Sequence, residues 1–134
     1  MHLFVTLMRY SVYIYKINVC YHYITALIRD GSPEKDHLEP LSKKLGTKWE
    51  AVARRLKFEA EEITAFDKEN RRLPDKAFKM LCAWKSRDGI EATYEVLYKA
   101  LSDKLVQRKD LAETFCLRSS EYYLQKAILD ALFL

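Results

Sequence analysis

Glycine and proline are scarce in this chain, with three of each among 134 residues. A sandwich or barrel needs a turn about every 8–12 residues, so the scarcity argues against a β-rich fold and suits helices joined by short loops. Cysteine is equally sparse. Cys20, Cys82 and Cys116 are odd in number, far apart and set in apolar surroundings, the pattern of reduced thiols in a cytosolic protein and not of a disulfide framework. No sign of charge dominates: 23 basic residues face 19 acidic ones for a net charge of +4. The basic pairs Lys43-Lys44, Arg54-Arg55, Arg71-Arg72 and Arg108-Lys109 are interleaved with acids, unlike the concentrated charge of a dedicated nucleic-acid binder.

Catalytic inventories are missing too. Gly31, Gly46 and Gly89 are solitary, so there is no glycine-rich phosphate loop, and neither a nucleophile motif nor a His-x-x-x-His pair occurs. Cys82 and Cys116 have no Cys or His at a zinc-ligand spacing, and His2, His22 and His37 stand apart from them. The sequence therefore predicts no enzyme, no metal and no cofactor.

What is present is enough apolar residue for a core, 49% of the chain, with 31% charged. That mixture specifies one folded domain of ordinary size. The composition changes sharply near Asp30. Residues 1–29 contain no acid, no Gly and no Pro, and hold five of the nine tyrosines. As a membrane span this segment is poor, because Lys16, Asn18 and His22 interrupt it and one central Lys costs about 2.5–3.5 kcal/mol. It also lacks a signal-peptide cleavage pattern and the Arg/Ser richness of a transit peptide. The reading that fits best is a hydrophobic, Tyr-rich extension over 1–31 outside the working domain, such as an over-extended start of the reading frame. A membrane anchor at residues 3–28 is the competing one.

From Ser32 the punctuation is helical. Ser32-Pro33-Glu34 predicts a helix start, with Leu38, Leu41 and Leu45 as its stripe, Pro40 splitting it and Gly46 stopping it. Thr47-Lys48-Trp49-Glu50 reads as a capping box opening a second helix, whose inner face is Trp49, Val52, Ala53 and Leu56. A third helix is expected over 59–69 with Ile63 and Phe66 inward, and a fourth from Pro74 with Ala77, Met80, Leu81 and Trp84 on one face until Asp88-Gly89. Thr93 caps a fifth, striped by Tyr94, Leu97, Tyr98 and Leu101 and continuing towards Leu105. A sixth follows near 109–115 with Leu111 and Phe115 inward. Both tryptophans sit among aliphatic residues at helical spacing, which marks them as core. A last amphipathic segment, Glu121 to Leu134, carries Tyr122, Leu124, Ala127, Ile128, Ala131 and Leu132-Phe133-Leu134 as a wide apolar face that should pack back on the bundle.

Six short helices with a Trp on the second and another on the fourth resemble a death domain. The residues that carry the resemblance are Leu41-Ser42-Lys43-Lys44-Leu45-Gly46 with Trp49 three places on, Ala53-Arg54-Arg55-Leu56, Glu62-Ile63, Glu69-Asn70, Ala83-Trp84-Lys85, Ala92-Thr93 and Asp110-Leu111-Ala112. At the start of the third helix the chain departs from the family pattern. It has Leu56-Lys57-Phe58-Glu59 where death domains often have Leu-Gly-hydrophobic-Ser, so a glycine and a hydroxyl cap are both absent. The resemblance implies an all-α, six-helix antiparallel Greek-key bundle over 32–118, flanked by the extension at 1–31 and an extra C-terminal helix at 119–134.

It also implies a function, homotypic docking on other death-domain proteins, whether receptor, adaptor or kinase. The chain would then be a cytoplasmic, non-catalytic adaptor of apoptotic or inflammatory signal transduction that self-associates or recruits a partner. Partner-binding candidates fall on regions that resemble death-domain interfaces. They are Arg54, Arg55 and Lys57 on the second helix, Glu61, Glu62, Asp67 and Glu69 on the third, Arg71 and Arg72 in the linker, and Lys76 and Lys79 on the fourth. Unlike charges on neighbouring elements permit a head-to-tail contact. An exposed ion pair contributes only about 0–1 kcal/mol, so the patches are proposed as groups. A small basic helical nucleic-acid-binding domain is the alternative, and the near balance of basic and acidic residues over 32–118 speaks against it.

Overall fold

A computed structural model of the chain describes residues 27–118 and 127–133. Within 27–118 the backbone forms six helices: α1 (Lys35–Leu45), α2 (Trp49–Arg55), α3 (Ala60–Glu69), α4 (Leu73–Asp88), α5 (Tyr94–Ser102) and α6 (Lys109–Cys116). Short 3-10 turns, Gly46–Lys48 and Gly89–Glu91, join α1 to α2 and α4 to α5. The most extensive helix pairings are α1 with α4 and α5 with α6. Trp49, Trp84, Leu38, Leu41, Leu45, Met80, Leu81, Leu97 and Leu101 are almost wholly enclosed between them. The inward stripes therefore meet in one core.

Several helix boundaries differ from the sequence reading, each for a local reason. The cap of α1 is Glu34 and not Ser32, whose hydroxyl is buried without a hydrogen-bond partner. The Glu34 N–H is taken by the Tyr94 hydroxyl at 3.3 Å, a tertiary contact that fixes where the helix begins. Pro40 does not split α1, which runs unbroken to Leu45. Its ring lies on the exposed face, as does Asp36, whose carbonyl loses its amide partner. Burial of Leu38, Leu41 and Leu45 on either side holds the helix together.

Thr47 does not cap α2. The 3-10 turn satisfies the Trp49 amide through the Gly46 carbonyl, so no side chain is needed. Helix α5 stops at Ser102, because the Asp103 carboxylate accepts the Leu105 N–H at 2.9 Å and turns the chain outward, leaving Leu105 63% exposed. Phe66 is half-buried where full burial was expected, packing edge-on against Phe58 at 5.4 Å.

The bundle also reaches further back than the sequence reading placed it. Leu27 and Ile28, assigned there to the extension, belong to the core. Ile28 pairs with Leu117 in an isolated antiparallel bridge, with Arg29 N–H donating to the Cys116 carbonyl at 2.8 Å and Arg118 N–H to the Leu27 carbonyl at 3.0 Å. Asp30 and Arg118 close the same clasp at 2.5 Å. Residues 127–133 are helical, yet Ile128 and Phe133 are exposed and Leu132 is 74% exposed, so the described part of the C-terminal segment does not pack on the bundle as expected. Leu27, Ile28 and Leu117 already close the core at the end where the chain leaves it. Tyr122, Tyr123, Leu124, Cys20 and most of the 3–28 stretch lie outside the described residues.

Candidate partner-binding surface

The turn between α2 and α3 is where this sequence lacks the glycine of its resemblance, and the backbone there shows what replaces it. Lys57 takes a positive φ of 68°, the left-handed conformation glycine adopts without steric cost. Glu59 stands in for the missing hydroxyl. Its backbone N–H donates to the Glu62 carboxylate at 3.1 Å, and the reciprocal contact from Glu59 to the third helical amide completes a capping box. The turn is thus made without a glycine or a hydroxyl cap.

Arg87, near the end of α4, braces that turn. Its guanidinium donates to the carbonyls of Leu56 and Lys57, the latter at 3.3 Å, and lies 4.4 Å from the Phe58 ring centroid. It thereby satisfies carbonyls left open at the C-terminus of α2, where a cation is also favoured by the helix dipole. A hydrogen bond from Arg87 to Asp88, 2.7 Å long, raises the arginine pKa and holds the Asp88 carboxyl below its ordinary range. Arg108 plays a matching part for α1. It donates to the Lys44 carbonyl at 3.1 Å and to both oxygens of Asp110, whose pKa its hydrogen bonds lower.

On this frame the candidate residues are arranged as follows. Arg54, Arg55 and Lys57 are exposed along one edge of α2 and its turn. Glu61, Glu62, Asp67 and Glu69 are exposed on α3, and Arg71, Arg72 and Lys79 on the following segment, while Lys76 is half-buried. Several are already engaged within the chain: Arg54 with Glu50 at 3.8 Å, Arg55 with Asp103 at 3.8 Å, and Lys76 with Asp67 at 2.6 Å. Among the described residues no ion pair involves Lys57, Glu61, Glu69, Arg71, Arg72 or Lys79. Arg54 and Asp67 line one small groove between α2 and α3, of about 170 Å³.

A larger groove of about 600 Å³ runs from that turn to the start of α5, walled by Trp84, Arg87 and Val96 and rimmed by Arg55, Lys57 and Glu62. Beside it Ile90, in the Gly89–Glu91 turn, is 92% exposed. Sequence reasoning passed over Ile90 and Arg87. Ile90 carries no periodic signal, and Arg87 is indistinguishable in sequence from any other surface charge. Of the expected core set, Leu41, Leu45, Trp49, Val52, Leu56, Ile63, Leu81, Trp84, Leu97, Leu101 and Leu111 are buried. Among the described residues no group of His, Cys, Asp or Glu is arranged to hold a metal, and no helix is long and apolar enough to cross a membrane.

Charged residues line the exposed helix edges around a closed six-helix core. The death-domain family model matches residues 35–115, more than half of the chain, and the chain belongs to that family. Death domains mediate homotypic protein contacts and are non-catalytic modules. Two curated human proteins are similar: THO complex subunit 1, 30% identical over 86 residues, and receptor-interacting serine/threonine-protein kinase 1, 38% identical over 68 residues. These matches take in 64% and 48% of this chain, but 13% and 10% of those proteins' lengths.

Proposed function

We propose that this chain is a cytoplasmic adaptor module that docks on other death domains, with itself or with a receptor, adaptor or kinase, in apoptotic or inflammatory signal transduction. The observation that carries the reading is the pairing of an exposed basic edge on α2 (Arg54, Arg55, Lys57) with an exposed acidic α3 (Glu61, Glu62, Asp67, Glu69) on adjoining elements of one death domain. A basic edge on one copy and an acidic helix on the next give a heterologous contact that repeats head to tail. Arg71, Arg72, Lys76 and Lys79 extend the charged surface, and Ile90 offers an apolar anchor beside it. Similarity to a receptor-interacting kinase supports the signalling context. Nucleic-acid binding is disfavoured because basic and acidic residues nearly balance over residues 32–118. Use of residues 3–28 as an anchor would withdraw Leu27 and Ile28 from the core.

The test is light scattering after size exclusion on the full chain, alone and mixed with the similar 68-residue segment of the receptor-interacting kinase, for the native sequence and for Arg54→Glu with Arg55→Glu. Assembly that the double reversal abolishes, with the melting temperature unchanged, supports the reading. Assembly that survives the reversal excludes this surface, and retention of the monomer on a polyanion column at physiological salt would favour the nucleic-acid alternative.

A further inference from the structure

Residues 127–133 form a helix that the bundle leaves bare. All of them are exposed except Leu129, which is half-buried, and Asp130 is the single charge in the run. Ile128, Leu132 and Phe133 are large apolar residues open to water. Helices shorter than about 12–15 residues are marginal in water and draw most of their stability from a packed apolar face. One that is apolar nearly all round belongs in a buried setting. The segment therefore calls for a partner outside its own bundle.

The sequence says which surface fits it. At about 100° per residue, Ile128 and Leu132 share a face, Ala131 lies about 60° to one side and Asp130 about 160° round to the back. That face sets bulky apolar side chains beside a small residue, so a second helix can come close while the charge stays in water. Read outward from Ile128, the sequence also mirrors itself. Leu124 answers Leu132, Tyr123 answers Phe133 and Tyr122 answers Leu134, while Lys126 and Asp130 are opposite charges at equal distances; Gln125 with Ala131 is the one polar–apolar mismatch. A two-fold contact requires a surface that complements itself. In an antiparallel pair of helices, each position before the centre stands level with the position equally far beyond it in the other helix. A centre at Ile128 sets apolar residues level with apolar ones and brings no like charges to one height. A lipid surface fits less well. Residues 119–134 carry Lys126 against Glu121 and Asp130, whereas an interfacial helix is rich in Lys or Arg on its polar face.

We propose that this helix is an isologous dimer contact, pairing antiparallel with the same helix of a second copy about a two-fold axis at Ile128. Ile128 then meets its own counterpart, and the two copies of Leu132 lie about 12 Å apart along the axis. The contact uses neither the basic edge of α2 nor the acidic α3, so it does not rest on the docking function proposed above.

The experiment is light scattering after size exclusion on the full chain over a concentration series, in the Arg54→Glu, Arg55→Glu sequence so that the contact proposed for those arginines is removed. The expected result is a monomer–dimer equilibrium that Ile128→Asp with Leu132→Asp abolishes at an unchanged melting temperature. A monomer at every concentration, or a dimer that survives both aspartates, overturns the proposal. Cysteine linking tests the geometry, in chains that also carry Cys20→Ser and Cys82→Ser. Under mild oxidation Ile128→Cys should form a covalent dimer at least about tenfold faster than Leu132→Cys, whose two copies stand too far apart for a disulfide. Equal rates overturn the antiparallel pairing. Flotation with phosphatidylcholine–phosphatidylserine vesicles that the two aspartates abolish assigns the face to lipid and overturns the second copy as its occupant. Because the arginine reversal is present throughout, failure here leaves the docking reading standing, and failure of that reading leaves this one standing.

Discussion

The Arg87 guanidinium stacks over the Phe58 ring at 4.4 Å while bonding the two carbonyls that precede that ring, those of Leu56 and Lys57. One side chain from α4 thus fixes both the end of α2 and the entry to α3, the elements that present the basic edge and the acidic helix.

Replacement of Arg87 by Ala should destabilise the domain by about 1–3 kcal/mol, since two carbonyls lose a charged donor and Phe58 loses its cover. Arg87→Lys should recover only part of this, because an ammonium lacks the fork that reaches both carbonyls. Urea unfolding of the three proteins checks it, and a loss below about 0.5 kcal/mol for the alanine variant would show that water replaces the guanidinium at no cost.

Lys57→Gly should stabilise the fold by about 0.5–1 kcal/mol, the relief of left-handed strain being partly offset by the greater freedom of glycine in the unfolded chain. Lys57→Val should do the opposite, β-branched residues being the least tolerant of positive φ. Melting temperatures of both variants read the sign directly.

Burial pushes the Cys116 thiol from its ordinary 9.0 up to about 12 and also raises Tyr94. A folded-state pKa above the unfolded one means that the folded state holds its proton more tightly. Stability is therefore fully present below pH 9 and declines as pH rises towards 12. Unfolding at pH 8 and pH 10 should show this decline, and Cys116→Ser should flatten it. At pH 8 the half-buried Cys82 should react with Ellman's reagent in the native protein while Cys116 stays protected until unfolding.

Leu27→Ala should cost about 2–5 kcal/mol, as expected for a fully enclosed leucine. Deletion of residues 1–31 removes Ile28 and the clasp hydrogen bonds as well, and should lower the melting temperature further. Removal of 127–134 should leave it nearly unchanged, because Ile128, Leu132 and Phe133 are exposed. Thermal denaturation of the three truncated or substituted chains tests the contrast.

Periodicity made the core legible in the sequence. Trp49, Val52 and Leu56, or Met80, Leu81 and Trp84, recur at helical spacing and are buried together. One local cap was legible, that of Thr93, whose hydroxyl accepts the Val96 N–H, whereas Ser32 and Thr47 do not cap and the Glu59–Glu62 box went unread. What could not be read were contacts made across the chain. Tyr94 fixes the start of α1 from 60 residues away. Arg87 and Arg108 cap helices to which they do not belong, and in sequence they resemble any solvated charge. Leu27 and Ile28 were hidden by a Tyr-rich neighbourhood that matched no soluble pattern, although two apolar residues suffice to close one end of a bundle. Arg29 was hidden with them.

The Ile28–Leu117 bridge sets the two ends of the bundle side by side. The segments before and after the domain thus enter and leave at one point, and the bundle hangs from the polypeptide as a pendant. A mechanical pull between those segments is taken first by the Asp30–Arg118 pair and the two backbone hydrogen bonds, which part like a zip, while the six helices feel no tension until that clasp has opened.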